Sequence, residues 1–146
     1  MADWDPKAFE EGLIADMRQN DGPPTSGPVA GHPILVMHAK GAKTGEPRRA
    51  ILTYSRDGDD YVVAGTAGGS KKNPKWLANL RANPDVTINI GRRSFPVTAS
   101  VVNESDRARL WDQHVAQLPW FADYPAQTER VIPIVRLTAK PEYKPE

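Results

Sequence analysis

Ile34-Leu35-Val36-Met37-His38, Gly41-Ala42-Lys43-Thr44-Gly45-Glu46-Pro47-Arg48-Arg49 and Ala50-Ile51-Leu52-Thr53-Tyr54 form the stretch that decides the fold. Two apolar, β-type runs flank a glycine-rich loop that carries cations. The pattern recurs downstream, where the apolar Tyr61 to Ala64 precedes Ala67-Gly68-Gly69-Ser70-Lys71-Lys72-Asn73-Pro74. Glycine lets the backbone approach a ligand closely, and bare N–H groups beside Lys and Arg make a concave site for anions. A small domain with two such loops reads as the holder of a phosphorylated ligand.

Working outward, Asp57-Gly58-Asp59-Asp60 is a hairpin turn signal that pairs the Ala50–Tyr54 run with Tyr61–Ala64. The aspartates of that turn read as solvated rather than metal-binding. Val86, Ile88 and Ile90 alternate as a strand, Gly91-Arg92-Arg93 turns the chain, and Phe95, Val97, Ala99 and Val101 alternate again. Val131 to Thr138 closes the set. Between the strands, Asn73 caps a helix with Pro74 in its first position. That helix runs through Trp76, Leu77 and Leu80 and stops before Asn83-Pro84. Ser105 opens another, with Leu110, Trp111, Val115 and Leu118 on one face.

Ahead of the barrel, Pro6 to Arg18 reads as a short amphipathic helix with Phe9, Leu13, Ile14 and Met17 at helical spacing. Its apolar face can dock on the rest of the chain, contact a lipid surface or cover a substrate. Docking is the expectation, with peripheral membrane association as the alternative. The Gly/Pro-rich segment from Asn20 to Pro28 is a linker. The expected organisation is therefore residues 1–28 as helix and linker, 29–138 as the main domain and 139–146 as a frayed tail. With about six antiparallel strands, two to four helices and no βαβ alternation, the class is mainly β (α+β), a small split antiparallel β-barrel.

The 146 residues fit one domain, and with no cysteine there is no disulfide framework or thiol chemistry. No apolar run reaches the roughly 18 residues of a membrane span, and the acidic start is unlike a secretory signal, so the cytoplasm is the default. The net charge of +1 hides an asymmetry. From Lys40 to Arg93 there are 11 Lys and Arg against 5 Asp and Glu, and elsewhere 8 against 13. The cations thus gather where the glycine loops are, which favours an anionic partner there.

Several motifs are excluded. Ala42-Lys43-Thr44 lacks the preceding glycine of a P-loop, and Gly45-Glu46-Pro47 cannot continue as its helix. No G-x-G-x-x-G follows a strand. His32, His38 and His114 have no metal-ligand spacing; His38 reads as a hydrogen-bonded core or pocket residue and His114 as the edge of its helix. Nucleic-acid binding is not expected, because the basic region lacks interleaved aromatics. Leu118-Pro119-Trp120-Phe121-Ala122-Asp123-Tyr124-Pro125 packs three aromatics between two prolines. Such a loop suits a flat conjugated ligand, with a tyrosine hydroxyl to orient or protonate it, or else forms a capping cluster for the barrel.

Together these segments resemble the deazaflavin-dependent nitroreductase family, split β-barrels that bind coenzyme F420. The resemblance spans roughly Pro33 to Thr138. It rests on Gly41 to Arg48, Gly68 to Trp76, Asn79-Leu80-Arg81-Ala82-Asn83-Pro84 and Thr128-Glu129-Arg130. It implies that Lys43 and Arg48, with the turn backbone of Thr44, Gly45 and Pro47, hold the phosphate and acidic tail. Thr66, Ala67, Gly68, Gly69, Trp76 and Asn79 would line the deazaflavin ring, with Asn73 and Pro74 in the same cofactor-binding set. Leu118, Trp120, Phe121 and Tyr124 would face the substrate, Tyr124 as proton donor or orienter. The implied reaction is hydride transfer from C5 of the reduced deazaflavin to an electron-poor acceptor. Ala42 and Ala67 stand where relatives carry Arg and Lys, and Leu118 and Phe121 replace tyrosines of the nitro-drug-activating members. Enones and quinones are therefore the expected acceptors rather than nitroimidazoles. Two alternatives stay open: a non-catalytic F420 binder, and an FMN or pyridoxal-phosphate oxidase-like barrel.

Overall fold

The computed structural model describes residues 6–27, 29–66, 72–127 and 131–141. Its elements are α1 (Pro6–Asn20), β1 (Ile34–Lys40), β2 (Pro47–Thr53), β3 (Ser55–Asp57), β4 (Asp60–Ala64), α2 (Lys75–Ala82), β5 (Asp85–Ile90), β6 (Arg93–Val101), α3 (Glu104–Gln117), a 3-10 helix (Pro119–Gln127) and β7 (Ile134–Ala139). All strand pairs are antiparallel, in the order β2-β1-β5-β6-β7-β4-β3. β2 and β3 lie at opposite edges of the sheet, yet only Tyr54 separates them in sequence. The sheet must therefore curl until its edges meet at Tyr54, whose N–H donates to the Pro33 carbonyl at 3.0 Å. This is the split barrel expected from the sequence.

The expected Ala50–Tyr54 to Tyr61–Ala64 hairpin is not formed. β2 pairs along its whole length with β1, from Ile34↔Thr53 to Lys40↔Pro47, across the glycine loop. The Gly58-Asp59 turn instead closes on Ser55–Asp57, a seventh strand, with Gly58 at φ 61° as a two-residue turn requires. Asp57 and Asp60 of this hairpin are paired with Arg136, at 3.1 and 3.4 Å, and Arg109 adds a second partner to Asp57.

Strand pleating explains why some runs are continuous and others alternate. Leu35 and Met37 face the barrel interior, while Ile34 and Val36 face α1. Tyr61 and Val63 likewise face inward, and Val62 and Ala64 face outward against α3 and the 3-10 helix. Both runs are apolar throughout because both faces are covered. On β5 and β6 only Val86, Ile88, Phe95, Val97 and Ala99 are buried, and there the sequence alternates.

α1 docks through Leu13 and Met17 onto Ile34 and Val36. Arg92, from the β5–β6 turn, donates to the Arg18 and Gln19 carbonyls at 2.8 and 2.9 Å, satisfying carbonyls that a helix end leaves open. Docking, the favoured sequence reading, uses the apolar face of α1. On α3, Asn103 rather than Ser105 is the cap, accepting from the Asp106 N–H at 3.0 Å, so the helix starts one residue early. α2 starts one residue late, with Pro74 at the capping position and no side-chain cap. No helix among the described residues is long and apolar enough to cross a membrane.

Candidate functional site

Between the inner faces of β1 and β2 and one face of α2 lies a cleft of about 400 Å³. Its floor is apolar, from the cross-strand pair Met37 and Ala50 together with Ala39 and Trp76. Arg48, Arg49 and Lys75 supply charge at its walls, and Asn79 is the one uncharged polar side chain lining it. On α2, Lys75, Trp76 and Asn79 share a face by their helical spacing, while Leu77 and Leu80 turn into the core. A second cleft, of about 460 Å³, adjoins the first through Ala39, Arg48 and Arg49 and is bounded by Lys7, Glu10, His38 and Pro47. An apolar floor with cationic walls suits a flat ring bearing an anionic extension.

The glycine loop is a tight turn held by its own backbone. Gly41 N–H donates to Glu46 O at 2.8 Å, Gly45 N–H to Gly41 O at 2.9 Å, and Glu46 N–H to Thr44 Oγ1 at 3.2 Å. Gly45 takes φ 71°, and a Cβ on Gly41 would sit 2.8 Å from Thr44 Oγ1. Ala42 N–H donates to Asn79 Oδ1 at 2.9 Å, which ties the turn to α2. Among the described residues Arg48 is held by Glu46, at 3.4 Å, and by its neighbour's carbonyl, and it is exposed, so it can swing to an anion. Arg49 pairs with Glu10 of α1 at 3.1 Å. His38, hydrogen-bonded to Asn89 at 3.1 Å, has its pKa lowered by burial and then by Arg49 and Arg18, a sign of positive potential on this face.

The structure thus brings Arg48, Trp76 and Asn79 together in one cleft and Pro47 into its neighbour. Lys43, Thr44 and Gly45 form the turn joining the two lining strands but line neither cleft. Thr66 is buried at the exit of β4, and Pro74 precedes the helix that carries Trp76; Asn73 lies just before it. Ala67, Gly68 and Gly69 lie outside the described residues, as do Thr128, Glu129 and Arg130. Sequence reasoning missed Gly65. Its N–H donates to Pro133 O at 2.8 Å, and a Cβ there would lie 2.9 Å from Pro133 and 3.4 Å from Pro74. A glycine ending an apolar strand just before a glycine loop was the available signal.

Leu118 and Phe121 are buried, at 1% and 6% exposure, among Val62, Leu110, Ile132 and Ile134 on the outer face of β4 and β7. Trp120 is 40% exposed and lies against His32 with the rings tilted by 34° and their centroids 4.6 Å apart. Tyr124 is half-buried and meets Phe121 edge-on at 5.2 Å. None of the four lines either cleft. His114 is not at the edge of its helix, as its sequence position implied, but fully buried. The i, i+4, i+8 series Leu110, His114, Leu118 faces the barrel wall, where Ser55 Oγ meets His114 Nδ1 at 2.6 Å. Burial pushes its pKa down to about 4, its Nε2 has no hydrogen-bond partner among the described residues, and its ring stands perpendicular to Phe121 at 4.4 Å.

The family model described as F420H(2)-dependent quinone reductase matches residues 13–139. An F420H(2)-dependent quinone reductase of Mycobacterium tuberculosis is 44% identical over 111 residues, covering 74% of each chain. A solved F420-H2 dependent reductase, FDR-A, aligns with a TM-score of 0.66 at 31% identity over 72% of this chain and 93% of its own. A structure described as a domain-swapped dimer aligns with a TM-score of 0.68 at 27% identity, covering 90% and 94%.

Proposed function

The chain belongs to the F420H(2)-dependent quinone reductase family, and on that premise we propose that it passes a hydride from reduced F420 to quinones or activated alkenes. It is an oxidoreductase that uses coenzyme F420. The observation that carries the finer reading is the β1–β2–α2 cleft, apolar on its floor and cationic at its walls. These residues fit the cofactor. Trp76, Met37 and Ala50 offer a flat apolar seat for a ring, and Arg48, with Lys43 from the adjoining turn, offers charge for a phosphate and carboxylates. When bound, the reduced deazaflavin supplies the hydride. The protein then has to seat the ring, exclude water from the apolar floor and polarise the acceptor. Tyr124 is the proposed donor to an acceptor oxygen on which negative charge builds.

Fluorescence titration with F420 and, separately, FMN tests the cofactor assignment, and turnover of reduced F420 with a quinone and an enone tests the reaction. Tight F420 binding without turnover of any acceptor would leave the chain a binder or carrier. Preference for FMN would remove the reading altogether.

A further inference from the structure

We propose that His114 is a positioning residue for acceptor reduction: held by Ser55, its ring fixes the plane of Phe121 and, through Phe121, the place of the Tyr124 hydroxyl. His114 acts only through Tyr124, so the proposal rests on the reading that Tyr124 donates to the acceptor.

Leu110, His114 and Leu118 follow one another at helical spacing along α3 and its cap, and all three are buried. Leucine does at two of these places what packing requires. At the third stands an imidazole, 0% exposed, whose Nε2 has no hydrogen-bond partner among the described residues. Burying that nitrogen unmatched costs free energy that a third leucine would not. What the imidazole adds is direction. Apolar contact is indifferent to the angle of a side chain, whereas a hydrogen bond fixes the plane of a ring. Ser55 Oγ of β3 lies 2.6 Å from Nδ1, and Trp111 stacks beside the ring at an interplanar angle of 28°.

From this fixed ring the geometry passes outward. Phe121 stands perpendicular to His114, at 84° and 4.4 Å, and Tyr124 meets Phe121 at 65° and 5.2 Å. Both are edge-to-face contacts, whose energy depends on angle. The main chain repeats the link: Leu118 N–H donates to His114 O at 2.8 Å, and Phe121 N–H to Leu118 O at 3.0 Å. α3 and the 3-10 helix are thus joined at His114 by backbone and by ring. Burial holds the His114 pKa near 4, so the ring is neutral at pH 7 and acts on Tyr124 by placement rather than by charge. Placement matters because a donor moved by about 1 Å from its acceptor costs up to about 10²-fold in rate.

Two substitutions divide placement from packing. His114→Leu keeps apolar volume against Phe121 and deletes the hydrogen bond, and Ser55→Ala removes the same bond from its other end. Each is made alone and in Tyr124→Phe, and F420 affinity, kcat and KM for an enone are measured below each Tm. Both single variants should bind F420 as the wild type does and lower kcat roughly tenfold, with KM little changed. In Tyr124→Phe neither should lower kcat by more than about twofold further, because the hydroxyl they place is already gone. A kcat loss of equal size in both backgrounds would overturn the proposal and return His114 to packing. Wild-type kcat in both single variants would overturn it too, as would an F420 deficit matching the kcat loss, the mark of a general distortion. Wild-type enone turnover in Tyr124→Phe would instead take down the donor role of Tyr124, and this proposal with it.

Discussion

The two walls of the barrel are built from the same parts and finished in opposite ways. On the β1–β2 side a helix packs outside the sheet, yet the inner face opens into a cleft lined by cations, with Arg48 half-exposed and loosely paired. On the β4–β7 side a helix also packs outside, and the cluster around Val62, Phe121 and Ile134 is sealed. There, even the polar groups are tied to each other: the buried Ser55 with His114, and the exposed Gln117 with the Arg56 backbone at 2.8 and 3.0 Å. The contrast teaches that α3 is fastened for rigidity, and that the charge left unfastened lies where a ligand could use it. Substitutions on the sealed wall should therefore change stability, and those on the open wall affinity.

The largest effect should come from His114. Truncation to Ala leaves a cavity and an unpartnered Ser55, costing on the order of 2–4 kcal/mol, read as a lower Tm. F420 affinity of the folded fraction should be unchanged; a matching loss of affinity would merge the two walls into one unit. The same residue sets a pH dependence. Its folded pKa of about 4 lies below the ordinary histidine value of 6.5, so the unfolded chain takes up the proton first. Stability should fall as pH drops from about 6.5 to about 4, by up to about 3 kcal/mol, and level off below that. His114→Gln should flatten that slope in denaturant melts.

Tyr124 sits on the sealed wall but is assigned to substrate, which makes it the sharpest challenge to the contrast. Tyr124→Phe should slow enone reduction on the order of 10²-fold with F420 affinity intact, and quinone reduction less. Undiminished enone turnover would return the residue to packing alone. Next comes Arg48→Ala on the open wall, expected to weaken F420 by about 1.5–3 kcal/mol with no change in Tm. Affinity should also decline with salt in the wild type and less steeply in the variant.

The barrel was legible because hydrophobic runs and glycine turns are local signals: the spans of β1, β4, β5 and α2 match their sequence patterns to within a residue or two. Partner choice was not. The Ala50–Tyr54 run carries no mark of which neighbour it pairs with, because pairing depends on a curl closed at Tyr54, and so β3 was overlooked. Arg48, Trp76 and Asn79, named from separate segments of the sequence, line one cleft. His114 was misplaced because a histidine inside a charged helical stretch gives no hint of Ser55, fifty-nine positions earlier. Gly65 was hidden for the same reason, its constraint coming from Pro133.

The smallest expected effect concerns Glu10, and it probes whether the open wall is tuned rather than merely uncovered. Glu10 reaches from α1 to Arg49 at 3.1 Å, and both side chains remain a quarter to a third exposed. A pair so exposed contributes at most about 1 kcal/mol to stability, so Glu10→Gln should leave Tm nearly unchanged. Its carboxylate, however, lines the second cleft and offsets Arg49, a cation shared by both clefts that an anionic extension of the ligand could otherwise meet. Removing that charge should tighten F420 binding by roughly two- to fivefold at low ionic strength, with the gain shrinking as salt screens it. Glu10→Ala should match it, since the gain comes from losing charge rather than from a new contact. A gain that persists in high salt would point instead to altered docking of α1. No gain at any salt would mean that the ligand's anionic part never approaches Arg49, and would confine it to the turn of Lys43 and Arg48.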